Sequence, residues 1–376
     1  MTASISAFRR EARAWLEAHV PEDPPPEDGP DSRAYLLKWQ QTQFRGGWAG
    51  INWPKEFGGR GLSVLEQIVW FEEYARAGAP SPLNATFTML NHAGPTIIAC
   101  GTPEQRAYHL PKILAGEVLW CQGFSEPGAG SDLGSLRTRG RVEGDEIVID
   151  GHKIWSSFAD VAEWQELLIR TNPEAKKNSQ ALSWVICPMN AKGVTVRPIR
   201  TMAGPHKYCE VFYDAVRIPL SNVVGGLHNG WATAMSTFGF ERGTAALGLL
   251  IGYNIRVEQL LAACPPDRSE LKLRLARLRA EGAAIRAMTY RFALDSETAV
   301  PDSSGSINRL AFAEFSQRVT QAAIDLYGLD APEVVGMHGW GHDYLDCFSE
   351  TIAGGTAEIQ RDIIGERVLG LPRGPR

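Results

Sequence analysis

The spacing of apolar residues changes twice along the 376-residue chain, and those changes limit the fold more than any other feature. Up to about Gly116 the spacing is helical. Phe8, Ala12, Trp15 and Leu16 recur at i, i+4, i+7 and i+8 and form one apolar face. Val64, Leu65, Ile68, Val69, Phe71 and Tyr74 mark another helix that closes near Gly78. Thr102-Pro103-Glu104-Gln105 reads as a helix start, with a hydroxyl cap, proline at the first position and glutamine at the third. The proline-rich stretch from Pro21 to Pro30 reads as a surface connection that cannot be helical.

From Leu119 to about Val224 the spacing becomes two. Leu136 to Val142 and Glu146 to Trp155 alternate, joined at Glu143-Gly144-Asp145, and the second run reads as turned at Asp150-Gly151. Leu167 to Ile169, Leu182 to Cys187, Gly193 to Ile199 and Val211 to Ile218 add short strands. Strands without long helices between them indicate a small barrel or a sandwich. After Gly230 helices return, over Trp231 to Ala263, Ser269 to Leu294, Ile307 to Tyr327 and Phe348 to Leu369, with a loop at Pro301 to Ser306. Four helices in series indicate a bundle.

This length exceeds what one core usually supports, so two or three domains are expected. The net charge of -5 provides no basic field, which argues against nucleic acid as the main partner. No apolar run reaches the roughly 18 residues of a membrane span. Met1 to Val20 reads as an amphipathic helix rather than a signal segment. Cys100, Cys121, Cys187, Cys209, Cys264 and Cys347 are scattered without a CxxC pair, so neither zinc nor a disulfide framework is expected. Reduced thiols in a cytoplasmic protein fit that pattern.

Chemistry concentrates in Trp120 to Asp132, where an apolar strand opens into a loop with Gly123, Gly128, Gly130, Ser125 and Ser131. Glycine allows a ligand close to the backbone, and the hydroxyls can bond a heteroaromatic ring or a carbonyl. The Gly128-x-Gly130-x-x-x-Gly134 spacing misses a dinucleotide loop by one residue, and strands follow it rather than a crossover helix. His338 and His342 are four apart, but Gly339 and Gly341 favour a surface loop over a metal site.

Phe124-Ser-Glu-Pro-Gly-Ala-Gly-Ser-Asp132 resembles the flavin-facing signature of the acyl-CoA dehydrogenase family. Gly47 to Gly59, Gly151-His-Lys-Ile-Trp155, Phe240-Glu-Arg-Gly243, Ile352-Ala-Gly-Gly-Thr-Ala-Glu-Ile-Gln360 and the Arg367 to Arg373 ending agree with it in order and spacing. The likeness spans essentially the whole chain. It implies an α+β, mainly α fold: an N-terminal helical domain at 1–117, a central small β-barrel at 118–226 and a C-terminal four-helix bundle at 227–376.

The resemblance also implies FAD, an acyl-CoA substrate and an electron-transfer flavoprotein as acceptor. Carried over, Phe124 and Ser125 would meet the flavin, Ser131 would line the flavin and the thioester tail, Trp155 would pack on the ring, and Ser157 would bond its N5 side. Thr356 and Glu358 would meet the adenosine-diphosphate half from the bundle. Gly354 stands where many members carry the catalytic glutamate, so its N–H can polarise the thioester carbonyl but no base is available there. Branches that place the base on the first bundle helix have glutamate before arginine, which Glu241-Arg242 matches. Glu241 is therefore the candidate base and Arg242 a candidate substrate contact, with Glu350 a weaker candidate base.

Arg256 to Leu260, Pro265 to Ser269 and Leu326 to Ala331 depart from the runs that usually complete FAD across a subunit boundary. That combination resembles a branch of actinobacterial dehydrogenases for steroid and other bulky acyl groups, which are heterotetramers. A dimer or tetramer, with itself or with a homologous subunit, is expected. Two rival readings are an N-hydroxylating flavin monooxygenase on this fold and a partner subunit that only completes a neighbour's FAD site.

Overall fold

In the computed structural model, residues 3–26, 29–204, 207–241, 246–296, 304–335 and 339–373 are described. The first segment is helical: α1 (Ala3–His19), α2 (Gly29–Arg45), α3 (Val64–Arg76), α4 (Gly94–Cys100) and α5 (Pro103–Leu114). The expected helix start at Thr102 is capped, and so is the start of α3. Ser63 Oγ accepts from Glu66 N while Ser63 N donates to the Glu66 carboxylate, and Thr102 and Gln105 form the same reciprocal pair. The proline-rich connection ends sooner than expected, because Gly29 and Pro30 already belong to α2; proline is tolerated in a first helical turn, where its missing N–H has no partner to lose. Residues 27 and 28 lie outside the described residues.

Helix α3 has two working faces. Val69, Trp70 and Tyr74 pack with Phe8, Ala12 and Leu16 of α1, and Trp48 stacks on Trp70 at 4.3 Å between centroids. Ile68 instead joins the C-terminal core with Leu250, Leu275 and Phe315. Between these faces lie the buried carboxylates of Glu72 and Glu73. Arg9 donates to Glu72 at 2.8 Å, Arg13 to Glu73 at 2.8 Å, and Arg286 of a later helix to Glu72 at 2.6 Å.

The middle segment is one eight-stranded sheet: β1 (Trp120–Gly123), β2 (Arg139–Glu143), β3 (Glu146–Ser157), β4 (Trp164–Arg170), β5 (Leu182–Pro188), β6 (Val194–Ile199), β7 (Tyr208–Pro219) and β8 (Val223–Val224). Its order is β6-β7-β3-β2-β4-β5-β8, with β1 parallel to β4. The expected turn at Asp150-Gly151 is absent. Strand β3 continues through that dipeptide, with a shift of register between Ile149 and Gly151. Asp150 Oδ1 accepts from Ala215 N at 2.9 Å, and a Cβ at Gly151 would lie 2.4 Å from Thr138 Oγ1. That glycine serves a close approach rather than a reversal.

The last segment contains α6 (Gly230–Glu241), α7 (Ala246–Ala263), α8 (Ser269–Ser296), α9 (Ser304–Tyr327), α10 (Trp340–Asp346) and α11 (Ala357–Ile363). The expected Trp231–Ala263 helix is seen as α6 and α7, with 242–245 outside the described residues. Helix α9 starts at Ser304, and 301–303 of the expected loop lie outside the described residues. The expected long helix from Phe348 to Leu369 is not one helix. A 3-10 turn over Cys347–Thr351 precedes left-handed Gly354 (φ 63°) and Gly355 (φ 90°), which end it before α11 begins. His342 lies on α10 rather than in a loop, bonded to Asp343 at 3.2 Å, and His338 lies outside the described residues.

Glu72 joins α1, α3 and α8 through its own fully buried carboxylate, so removing it leaves the guanidinium groups of Arg9 and Arg286 under-compensated. Arg9 and Arg286 keep 15% and 39% of their side-chain exposure, which softens that cost. Glu72→Ala is expected to lose about 2 kcal/mol in urea unfolding at an unchanged m-value. An unaltered midpoint would show that the network does not hold the helical segments together.

Candidate active site

Strand β1 delivers the glycine loop. Its last residue is glycine because Gln165 of β4 approaches, leaving only 2.6 Å to a Cβ at Gly123. Phe124 is buried and meets Phe238 of α6 edge-on at 5.7 Å. Reciprocal bonds of 3.0 Å between the Glu126 and Ala129 backbones close a turn around Pro127 and Gly128. Cβ atoms at Gly128 and Gly130 would meet nothing within 4 Å, and Ser131 and Asp132 are exposed.

A buried ion pair fixes this loop. Lys153 Nζ donates to Glu126 Oε1 and to the Phe124 carbonyl, both at 2.9 Å, and its side chain is fully buried. The same carboxylate accepts from Arg137 N at 2.6 Å and Thr138 N at 2.8 Å. Burial pushes the Lys153 ammonium down to about 8 against the pull of Glu126. Burial pushes the Glu126 carboxyl up, but the charge of Lys153 and the hydrogen bonds outweigh it and hold the group below the usual carboxylate range. Ile154 N donates to Ser125 O at 3.0 Å, so the loop and β3 are joined directly.

Next along β3 comes a bulge. The β3–β7 register shifts between Lys153 and Ser156, and Trp155 takes a left-handed φ of 63°. For a bulky residue that conformation is a real outlier, and bulges beside sites re-aim side chains. Trp155 is 56% exposed, with Tyr208 edge-on at 6.0 Å. Ser157, half-buried, pairs with Tyr208 in the ladder. Phe124, Ser125, Trp155 and Ser157 therefore gather at one end of the sheet.

The bundle contributes the turn that holds Gly354. Arg309 of α9 pairs with Glu350 and donates to the Ala353 carbonyl at 3.0 Å. Gln360 Nε2 donates to the Gly354 carbonyl at 2.8 Å. Gly354 is exposed, and Glu350, considered earlier as a weaker base, is committed to Arg309. Thr356 caps α11 by accepting from Ile359 N, and Glu358 is exposed. Lys207, whose carbonyl accepts from Phe158 N, lies 3.7 Å from Asp346 and links the Trp155 end of the sheet to the bundle.

No hydrogen bond or ion pair among the described residues ties Thr356 or Glu358 to the Trp155 group. Glu241 is the last residue of α6, one turn beyond Phe238, and Arg242 lies outside the described residues. Arg256 is engaged within the chain, paired with Asp343 and 3.6 Å over the Trp340 ring.

Lys153 and Glu126 lie within the recognised motifs but carry no expected role there. The usable signal was alternation: counted from Ile147 and Ile149, Lys153 falls on the inward face of β3, where a lone cation needs a partner. Among the described residues no cluster of three or more metal-ligating side chains occurs, and no helix is long and apolar enough to cross a membrane.

Family descriptions match in three consecutive pieces: the acyl-CoA dehydrogenase N-terminal domain over residues 2–117, middle domain over 121–216 and C-terminal domain over 228–369. Acyl-CoA dehydrogenase IpdE1 of Mycobacterium tuberculosis is 37% identical, covering 98% of both chains. Among solved structures, one described as the Tcur3481-Tcur3483 steroid ACAD is 31% identical with a TM-score of 0.87, covering 100% of this chain and 99% of its own. The ChsE4-ChsE5 complex from Mycobacterium tuberculosis is 31% identical with a TM-score of 0.82 over the same shares.

Lys153→Met strands the buried Glu126 carboxylate and is expected to cost about 3 kcal/mol or more at neutral pH, with part regained in Lys153→Met/Glu126→Gln. The lysine's folded value of about 8 lies below its ordinary value of about 10.4, so the cost of burying the ammonium is fully present below pH 8. That cost is relieved as pH rises toward 10.4. The stability difference between wild type and Lys153→Met should therefore shift in favour of wild type across that window. Chemical denaturation at stepped pH checks it, and a flat difference would contradict the buried pair.

Proposed function

The chain belongs to the acyl-CoA dehydrogenase family, whose members are FAD-dependent, and from that premise we propose that it oxidises a bulky, branched or steroid-like acyl-CoA to the trans-2-enoyl thioester. The observation that carries the site is Trp155, a planar side chain held out at a strained bulge beside a hydroxyl-bearing glycine loop. The steroid-like preference is supported by the relatives described as steroid ACADs and by the side-chain-free Gly354. Electron-transfer flavoprotein as acceptor, a cytoplasmic setting, and assembly as a dimer or tetramer with itself or a homologous chain belong to the same proposal. So do the domain boundaries at 117/118 and 226/227. The comparisons do not favour the reading as a partner subunit without catalysis.

The residues present fit FAD. Trp155 offers a flat face, Ser125 and Ser157 set partly exposed hydroxyls at the same sheet end, and Gly128 and Gly130 leave open space. Phe124, Ser125, Ser131, Trp155 and Ser157 would hold its ring, with Thr356 and Glu358 toward the diphosphate. Bound there, FAD supplies the acceptor for the hydride leaving the substrate β-carbon.

The chain's own residues handle the proton. Glu241 would take it from the α-carbon, and Arg242 and Ser131 would position the thioester. The Gly354 N–H would donate to the carbonyl oxygen, where negative charge develops, and so lower the cost of removing that proton. Gly354 has no side chain to act as base, and the left-handed backbone there and at Gly355 suits glycine.

Glu241→Gln is expected to retain FAD while flavin bleaching by acyl-CoA slows about 10²- to 10⁴-fold. Full activity in that variant would remove the base assignment. A panel of CoA esters followed by bleaching tests the acyl class; strong preference for short straight chains would count against it. Oxygen uptake with supplied reduced flavin and no bleaching by thioesters would favour the monooxygenase reading instead.

Trp155→Gly separates ligand binding from packing. Left-handed strain of about 1–3 kcal/mol is relieved, so the urea midpoint should hold or rise while retained flavin falls. A lower midpoint with unchanged flavin content would make Trp155 a packing residue.

A further inference from the structure

Strand β1 presents alternate residues to the two sides of the sheet. Cys121 enters the core inside the sheet, whereas Trp120 and Phe124 face the N-terminal helices and α6. Gln122 shares the face of Trp120 and Phe124. Those neighbours are 1% and 3% exposed, yet Gln122 is only half-buried, so the packing opens at its position. Phe124 on this face already meets Phe238 of α6, the helix that ends in Glu241.

The Gln122 amide is held from behind. Parallel pairing sets Gln122 beside Glu166 of β4, and its Nε2 donates to Glu166 Oε1 at 2.8 Å. His92 Nδ1 lies 3.1 Å from the same oxygen and 3.1 Å from Gln122 Nε2. Glu166 is fully buried and His92 is 5% exposed. His92 sits in a π-helical turn, Met89–Ala93, of the kind often found at functional sites. The following helix is tied to α6 by Thr96 Oγ1 and Thr237 Oγ1 at 2.8 Å, both fully buried.

A carboxylate only accepts, so it fixes which end of the amide faces it. Nε2 must point at Glu166, so Oε1 is the end of the amide turned away from that carboxylate and is an acceptor held in orientation by it. An amide, an imidazole and a carboxylate are costly to bury in an otherwise apolar junction, and such a network orients what it holds.

We propose that Gln122, oriented by Glu166 and His92, is a subsite that accepts a hydrogen bond from a hydroxyl on the acyl portion of the substrate. This rests on the acyl-CoA dehydrogenase reading and narrows it to hydroxylated acyl groups. Glu166 and His92 are positioning residues, since they act through Gln122.

The test uses purified enzyme with bound FAD, and any partner subunit that co-purifies. The probes are cyclohexanecarboxyl-CoA and its ring-hydroxylated isomers, with Gln122→Leu and Gln122→Met compared against wild type. The wild type is expected to favour one hydroxylated isomer over the plain ester at least tenfold in kcat/KM, about 1.4 kcal/mol. Both variants should bring that ratio close to one. A merely structural role would change both esters alike and leave the ratio intact, which would overturn the subsite, as would a wild type indifferent to every isomer. Two variants of different shape guard against one that fails to fold, and thermal midpoints identify such a failure. Turnover of the plain ester without discrimination overturns the subsite alone, whereas no bleaching by any ester, plain ones included, removes the dehydrogenase reading and the subsite with it.

Discussion

The buried pair of Lys153 and Glu126 is the contact on which the candidate site depends. One ammonium and one carboxylate engage the Phe124 carbonyl and the Arg137 and Thr138 amides, so five groups from three segments converge within hydrogen-bonding distance. An apolar pair could fill the same volume, and buried ion pairs often add nothing to net stability. Directional bonding is what an apolar pair cannot provide. The loop after β1 must leave the sheet at one angle for Ser125 to stand beside the Trp155 bulge, and the pair helps set that angle. Burial opposes the Lys153 charge and lowers its value, and the pair persists through the bonds it satisfies.

The bulge at Trp155 draws on the same arrangement. A left-handed tryptophan in a strand persists only where its neighbours over-determine it. Lys153 is locked two residues before, Ile154 N is bonded to Ser125 O, and Phe158 N is bonded to Lys207 O just after. Loop and bulge are thus one body, and neither can shift without breaking bonds in the other. The bundle side is built differently. Its Gly354 turn owes its shape to two left-handed glycines and to bonds from Arg309 and Gln360 to carbonyls. Under the proposed function the Gly354 N–H would supply polarisation there without a side chain.

Much of this was legible in the sequence because its signals were local. The Thr102 cap, the helix through Ile68 and Tyr74 and the Gly144 reversal depend on residues a few places apart. Asp150-Gly151 looked like another turn because the dipeptide carries the same local signal. Thr138, more than ten residues away, is what requires glycine there, and no short window contains it. The last long helix failed for a related reason. Apolar spacing continues through Ile352 and Ile359, but the paired glycines between them end helical geometry regardless of the pattern. Lys153 and Glu126 were visible as residues and invisible as a pair, since 27 positions separate them.

One face of β1 connects the parts. Phe124 on that face meets α6 and Gln122 meets the π-helical turn, while the next residues begin the glycine-rich loop. With glycine at 354, the proposed base moves to α6, so the helix that packs on β1 becomes the helix that sets where the α-carbon must lie. In that reading acyl space lies along β1, α6 and the π-helical turn rather than along the bundle turn. The proposed subsite and the anchored loop after β1 meet on a four-residue strand, whose register against β4 sets Gln122 beside Glu166 and Gly123 against Gln165. A one-residue slip of β1 would exchange its two faces and undo both at once.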